Sequence, residues 1–484
     1  MSLIAALDPG RTTLVVLFGA TQGLYFLVLV VMAYFYTRPV DWVELGDLPS
    51  DEQAYPRILL LYPVLREPEE TMRTTFLAID KIDYPGDRSR IVAIPNHDDT
   101  TTIGALQRLQ AEFPWLEILT VPSTADPSWN VVWDSWNANH KAYWWHTGKR
   151  ARDRDLPPKK TRQLVYAFYT LCPDEGDETL VSYIDADSAP PPDYFVLAAA
   201  GSTKYDVVQL TNVAGNPLKS RASTFHAFDH MCWDASMYAH MSAHGKHPYY
   251  VLGKGLFYRS SDLHALGSFH PWLTIEDPEV GMRLWVNGRR LGIAAQPLVE
   301  EVPDTFRGGI SQRKRWICGF FQSGSAPLKQ MGMTFRQRLL ARLNLVPCTT
   351  LLVNLVGLPV GIWILTLVAL GDRPIDLALT VLAAVNVAGL VVIVGHNWLT
   401  AWRMSGLVLG GLRARLRFVW RVNPVALLVY GVIWVVPVVM GVQMFLRDRG
   451  LAWERTEKFD ANHDLIRAFN DLAGIGVAEA EVTA

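Results

Sequence analysis

Three short groups of side chains in this sequence have the types and spacing to do chemistry together. Asp185 and Asp187 close an apolar, β-branched run, residues 181–187 (VSYIDAD). Positions two apart on a strand face the same way, and where a strand ends the chain can turn both carboxylates toward one divalent cation, the usual grip on a diphosphate. Glu276 and Asp277 precede residues 280–286, whose amphipathic pattern predicts a helix, so Asp277 could be an N-cap or a base directed into a cleft. Being adjacent, the two carboxylates do not both face one ligand squarely. Gln312, Arg315 and Trp316 form the third group; arginine pairs bidentately with phosphate, and tryptophan offers a flat face to a pyranose ring. Each group alone also has an ordinary reading, as a solvated acidic loop, a helix cap or a basic segment at lipid headgroups.

The elements that must position these groups follow from local pattern. Residues 57–62 (RILLLY) and 90–94 (RIVAI) read as buried parallel strands, and 115–121 as a third. Pro68, Glu69 and Glu70 suit the first turn of a helix, and another is expected to begin near Thr102. Residues 159–170 predict a helix and 179–184 the central strand, with further strands at 206–210 and 249–252. Strand, polar loop and helix in repetition mark an α/β layer with a mostly parallel central sheet, in which ligands collect beyond the C-terminal strand ends. Gly253 and Gly255 would permit close backbone approach to a sugar or phosphate, or simply make a turn. His226 and His230, like His240 and His244, are four apart on an expected helix, residues 226–247, that faces an acceptor path; with Asp229 and Asp234 they complete no recognised zinc set.

The chain has 484 residues, 50% of them hydrophobic and 19% charged, and the apolar excess is concentrated. Runs at 12–37, 343–371, 377–401 and 422–446 are each long enough to cross a bilayer as a helix, giving four expected spans. The first is read as an uncleaved anchor, because its apolar part is long and no small-x-small cleavage pattern follows. Residues 38–54 form a linker, 55–325 a polar catalytic domain, 326–342 an interfacial segment and 447–484 a tail. Arg403, Arg413, Arg415, Arg417 and Arg421 make the loop before the last span basic, which places it and the polar domain in the cytoplasm, at a plasma or bacterial inner membrane. The 4 cysteines show no CxxC spacing, which suits a reducing compartment. A net charge of -2 gives no reason to expect nucleic-acid binding.

Taken in order, these motifs resemble the integral-membrane members of glycosyltransferase family 2, which include the bacterial cellulose synthases and related polysaccharide synthases. Asp185-Ala-Asp187 is similar to the family's DxD, Thr274-Ile-Glu276-Asp277 to its TED with one residue inserted, and Gln312 to Trp316 to its QxxRW. The resemblance covers about residues 55 to 325 and continues loosely through the spans. It implies a GT-A-like nucleotide-sugar domain inserted between transmembrane helices. Pro63, Glu67, Asn96, Asp98, Lys160 and Asp185 then belong to the nucleotide site, with Asn96 standing where the family commonly has an aspartate. Mg²⁺ or Mn²⁺ would sit on Asp185 and Asp187, Gln312 and Arg315 would bind the diphosphate, and Trp316 would carry the acceptor sugar. Asp277, with Glu276 beside it, would be the base of an inverting transfer from a UDP-sugar, most simply UDP-glucose. The acceptor would be a growing polysaccharide or, alternatively, a lipid or lipid-linked glycan, in contact with membrane lipid. A transporter or receptor without chemistry is disfavoured by three ordered motifs on one domain. Residues 453–458 resemble a basic cytoplasmic segment of such synthases, which competes with the side of the membrane that four spans assign to the tail.

Overall fold

The computed structural model describes residues 9–174, 176, 178–242, 251–372 and 375–447. The tail, with residues 453–458, lies outside them, as do His244, His247 and the first half of the strand expected at 249–252. The domain is built on one eight-stranded sheet in the order β1-β8-β6-β7-β5-β2-β3-β4. Its strands are β1 (Trp42–Val43), β2 (Ile58–Val64), β3 (Ser89–Pro95), β4 (Leu116–Ile118), β5 (Leu180–Tyr183), β6 (Val207–Ala214), β7 (Leu256–Arg259) and β8 (Leu291–Glu300). Every pairing is parallel except those of β7, which runs antiparallel to both β5 and β6.

β2 reads as an unbroken apolar run because both of its faces are covered. Leu59 and Leu61 enter one core with β3 and the tryptophans, while Ile58, Leu60 and Tyr62 enter the other. The tryptophan-rich stretch that has no legible period in sequence is core, not ligand platform. Trp129, Trp133, Trp136, Trp144 and Trp145 are all buried, and the Trp133 and Trp145 rings stack at 5.1 Å and 7°. They pack with the Lys160–Leu171 helix and so fix the direction in which Lys160 leaves its first turn.

Four expectations change. The strand at 249–252 is displaced to β7, and Val251 and Leu252 have no regular structure. The strand expected at 115–121 shortens to Leu116–Ile118, after which only the Asn96–Val121 bridge continues the pairing. Part of the 38–54 linker is not a spacer, since Trp42 and Val43 pair in parallel with Ile293 and Ala294 at the sheet edge. Asp277 is the first residue of the Asp277–Val286 helix, not its N-cap, which is Glu276. Pro278 follows inside the first turn, where its missing N–H costs nothing.

Among the described residues, three helices are long and apolar enough to cross a membrane: Gly10–Tyr36, Leu377–Val408 and Pro424–Leu446. The remaining expected span is the Val346–Ala369 helix, whose apolar stretch Val353–Ala369 is shorter. The Pro424–Leu446 span breaks at Trp434 into two helices, because Pro437 cannot donate to the carbonyl of Ile433. Between domain and membrane, the Phe335–Asn344 helix exposes Phe335 and Leu339, and the Leu412–Arg421 helix exposes Leu412, Leu416 and Trp420, one turn apart. Exposed apolar faces of this kind suit a lipid interface.

The Phe306–Gly324 helix, which carries Gln312, Arg315 and Trp316, packs against the last membrane helix. Glycine makes the approach possible. A Cβ on Gly441 would lie 2.6 Å from Ile317 Cβ and 2.7 Å from the Lys314 carbonyl, and one on Gly319 would lie 2.1 Å from Ile275 Cγ1. The same helix is therefore wedged between the membrane and the loop that holds Glu276 and Asp277.

Candidate active site

The loop after β5 is pinned before its carboxylates are used. Tyr62 Oη and Thr75 Oγ1 both donate to the Ala186 carbonyl, at 2.7 and 2.9 Å, and the Ser188 N–H donates to the Asp185 carbonyl at 3.0 Å. Asp185 and Asp187 consequently part company. The Asp185 carboxylate is 36% exposed and lines a cavity of about 450 Å³. Asp187 is buried, accepts the Glu301 N–H at 3.3 Å, and is not among the residues lining that cavity.

Lys160 stands between the acidic groups. Its Nζ is 2.7 Å from Asp185 Oδ1, 2.7 Å from the Gly253 carbonyl and 3.7 Å from Glu276 Oε1. Burial alone would lower its pKa, but Asp185 and then Glu276 outweigh burial and raise it. The neighbouring Lys159, more deeply buried, is pushed down by burial to about 8. Glu276 is buried and also accepts from Tyr183 Oη at 3.3 Å.

Asp277 lines the same cavity, partly exposed. Burial, and then the charge of Glu276 next to it, raise its pKa well above the ordinary carboxylate range, against the opposing pull of Lys160. A base works ionised, so the acid limb of kcat/KM is expected well above the usual carboxylate value of about 3.9, with activity rising as pH rises through it. A pH profile of turnover checks this, and an acid limb near 4 would remove Asp277 from the reaction.

Gly253 has a reason that its sequence alone could not give. A Cβ there would lie 3.1 Å from both Cγ and Oδ1 of Asp277, so the glycine makes room for this carboxylate while its carbonyl holds Lys160. Gly255 has φ of +67° and turns the chain into β7. Gly253→Ala is expected to displace the Asp277 carboxylate by a few tenths of an ångström and to lower kcat about tenfold with little change in donor KM. Steady-state kinetics of the variant measures both.

Gln312, Arg315 and Trp316 are spaced i, i+3 and i+4 on one helix and all face the cavity. The intervening Arg313 turns the other way, buried, and donates to Asp229 at 2.8 Å. That carboxylate also accepts from Tyr430 Oη at 2.7 Å and Trp434 Nε1 at 3.0 Å. The break in the last span thus serves to tie the membrane helices to the site. Val394, Leu427 and Gly431 complete the membrane-side wall of the cavity.

The remaining expected residues lie at the C-terminal ends of β2 and β3. Leu65, Arg66, Glu67, Pro68, Asp98 and Asp99 line a second cavity of about 490 Å³. Arg66 holds φ at +53°, a region costly for arginine, and its N–H is fixed at 2.7 Å by Asp99 Oδ2. Pro63 is buried within β2. Asn96 is fully buried; its Oδ1 accepts from Arg162 at 2.6 Å, and its Nδ2 has no partner among the described residues.

Of the two carboxylates expected to hold a divalent cation, Asp185 alone reaches the cavity, and as a hard oxygen donor it suits one. Asp185 presents a half-exposed carboxylate, and the place beside it is already held by a cationic ammonium in the Lys160 pair. A different group has ligand spacing that sequence did not reveal. His230, Asp234 and Glu300 are buried with ligand-type atoms within 4.8 Å of one another. Asp234 is one turn from His230, but Glu300 arrives from the end of β8, and no local pattern announces it.

The profile of glycosyl transferase family group 2 matches residues 180–446. A comparison with curated proteins returns no match. Among solved structures, the mannosyltransferase PcManGT from Pyrobaculum calidifontis, in complex with GDP-Man and Mn²⁺, is similar at 15% identity and a TM-score of 0.51, over 91% of this chain and 99% of that one. TarS from S. aureus, residues 1–349 with UDP-GlcNAc, matches at 12% identity and a TM-score of 0.31, over 57% of this chain and 69% of that one. At such identity the first shows a shared GT-A-like fold and nothing of the substrate, and the second adds nothing to it. The matched profile spans more than half of the sequence, from β5 and the Asp185 loop through the last membrane helix, and the chain belongs to glycosyl transferase family group 2.

Proposed function

We propose that this chain is an inverting glycosyltransferase of a cell membrane, with its domain on the cytoplasmic side, that moves a sugar from UDP-glucose to a growing polysaccharide. The observation that supports this most is convergence. Lys160, Asp185, Glu276, Asp277, Gln312, Arg315 and Trp316 come from four separated segments and line one cavity walled by membrane helices. In this reading the nucleoside lies over the ends of β2 and β3, between Glu67 and Asp98, with Asn96 buried just past the end of β3.

Asp185, with Asp187 behind it, would hold Mg²⁺ or Mn²⁺, and the cation when bound neutralises charge growing on the departing diphosphate. Arg315 and Gln312 bind and orient that diphosphate. Asp277 takes the proton from the acceptor hydroxyl as its oxygen attacks the anomeric carbon opposite the leaving group. Glu276 stays bound to Tyr183 and Lys160 and raises the basicity of Asp277. Trp316 supplies the surface on which the acceptor ring stacks.

A second reading, transfer of one sugar to a lipid-linked acceptor, is favoured by the apolar wall of Val394, Leu427 and Gly431, where a lipid tail could lie beside the reacting hydroxyl. Both readings are tested on the purified full chain in nanodiscs. The anomeric proton coupling of product made from an α-linked donor is expected to show a β linkage; an α product would overturn inversion. Product sizing then separates a polymer ladder, the first reading, from a single sugar added only when lipid is supplied, the second.

A further inference from the structure

The wall of the cavity around Trp316 carries polar atoms that the transfer reaction does not use. Asn212, on β6, is fully buried and lines the cavity, and neither its Oδ1 nor its Nδ2 has a hydrogen-bond partner among the described residues. His230 is 4% exposed and lines it too. Its Nδ1 lies 3.1 Å from Asp234 Oδ2 and 2.9 Å from Glu300 Oε1, whereas its Nε2 has no hydrogen-bond partner among the described residues. Buried polar groups are costly when unsatisfied, so several at one cavity mark a place where a ligand supplies the missing bonds.

We propose that Asn212 and His230 form a subsite for the hydroxyl rim of the acceptor's terminal pyranose, which makes the acceptor a glycan and not a bare lipid phosphate. This rests on the reading that the Trp316 cavity receives the acceptor. The Asp234 carboxylate, hydrogen-bonded to Nδ1, favours the tautomer with the proton there and leaves Nε2 as a hydrogen-bond acceptor for a hydroxyl, with the Glu300 charge close by. The Asn212 amide adds one donor direction and one acceptor direction, the complement of two neighbouring hydroxyls. The His230 ring stands edge-on to Trp316, centroids 5.6 Å apart, so a pyranose stacked on the indole brings its rim to the imidazole.

His230, Asp234 and Glu300 also have the spacing of a metal group. The cluster already contains a cation, because Lys254 Nζ is ion-paired with Glu300 Oε2. The hydrogen bond between His230 Nδ1 and Asp234 accounts for one further contact, and Glu300 approaches the same nitrogen as a charge, without a hydrogen bond. A sugar-binding role is therefore the better match to the unpartnered Nε2.

The test is saccharide binding to the full chain in nanodiscs, read by tryptophan fluorescence with UDP present, over glucose, galactose, mannose and N-acetylglucosamine disaccharides. One of them is expected to bind, with Kd raised at least tenfold in His230→Gln and Asn212→Leu and with UDP affinity within threefold of the parent. Asn212→Leu removes an unsatisfied amide at similar volume, so its melting temperature is expected to match or exceed the parent's, which separates lost binding from lost folding. Failure of every disaccharide to bind a protein that still transfers sugar to lipid would overturn the subsite and leave the transferase standing. Saccharide binding that depends on both residues, in a protein that turns over no nucleotide sugar, would sink the proposed reaction and keep the subsite. Loss of one equivalent of tightly held metal in His230→Gln, with saccharide binding intact, would reassign the cluster to a cation.

Discussion

Asp277→Asn is expected to lower glycosyl transfer about a thousandfold while nucleoside diphosphate still binds with the parent's affinity. Asparagine has the same shape and keeps the contact with Gly253, so the variant changes little except the ability to accept a proton. A loss of that size corresponds to about 4 kcal/mol of transition-state stabilisation, the ordinary worth of a positioned base. Titration with UDP and single-turnover transfer on one preparation give both numbers. Full turnover in the variant would place the base elsewhere, and joint loss of binding and turnover would make Asp277 a donor ligand.

Asp185→Asn has the second largest expected effect, on the donor and not on the proton. The Lys160 ammonium retains a hydrogen bond to the new amide, the Gly253 carbonyl at 2.7 Å and Glu276 at 3.7 Å, so the fold of the loop is preserved. What disappears is the half-exposed charge that would hold the cation. Donor KM is expected to rise about a hundredfold, and titration with Mn²⁺ is expected to lose its steep dependence. An unchanged Mn²⁺ titration would move the cation away from this loop, and the buried group at His230 would be the place to look.

What the sequence made legible is what local pattern can encode. β2, β3, the Lys160–Leu171 helix and β5 are near where apolar runs and helix starts place them, within a residue or two. The three motif groups were visible because each is compact in sequence. β8 was not, because Leu291–Glu300 contains glycine, two alanines and Pro297, and its pairing with β6 shifts register between Leu210 and Thr211. β1 is two residues long, too short for any period. The divergence of Asp185 and Asp187 has no local signal, since it depends on Tyr62, Thr75 and Glu301 holding the loop from distant segments. Long-range pairs likewise hid the role of Gly253, the fit of Gly319 over Ile275, and the joining of Glu300 to His230 and Asp234. Polarity gave Asn212 no distinction in sequence; only full burial at a cavity wall does.

The central claim is that this cavity transfers sugar from a nucleotide donor with Asp277 as base. Nucleoside diphosphate release by the purified full chain in nanodiscs tests it most directly, over UDP-glucose, UDP-galactose, UDP-N-acetylglucosamine and GDP-mannose, with Mg²⁺ or Mn²⁺, alongside Asp277→Asn. The account predicts release from one donor, dependent on the cation and abolished in the variant. No release from any donor when acceptor glycan and lipid are both supplied, or release undiminished in Asp277→Asn, would contradict it.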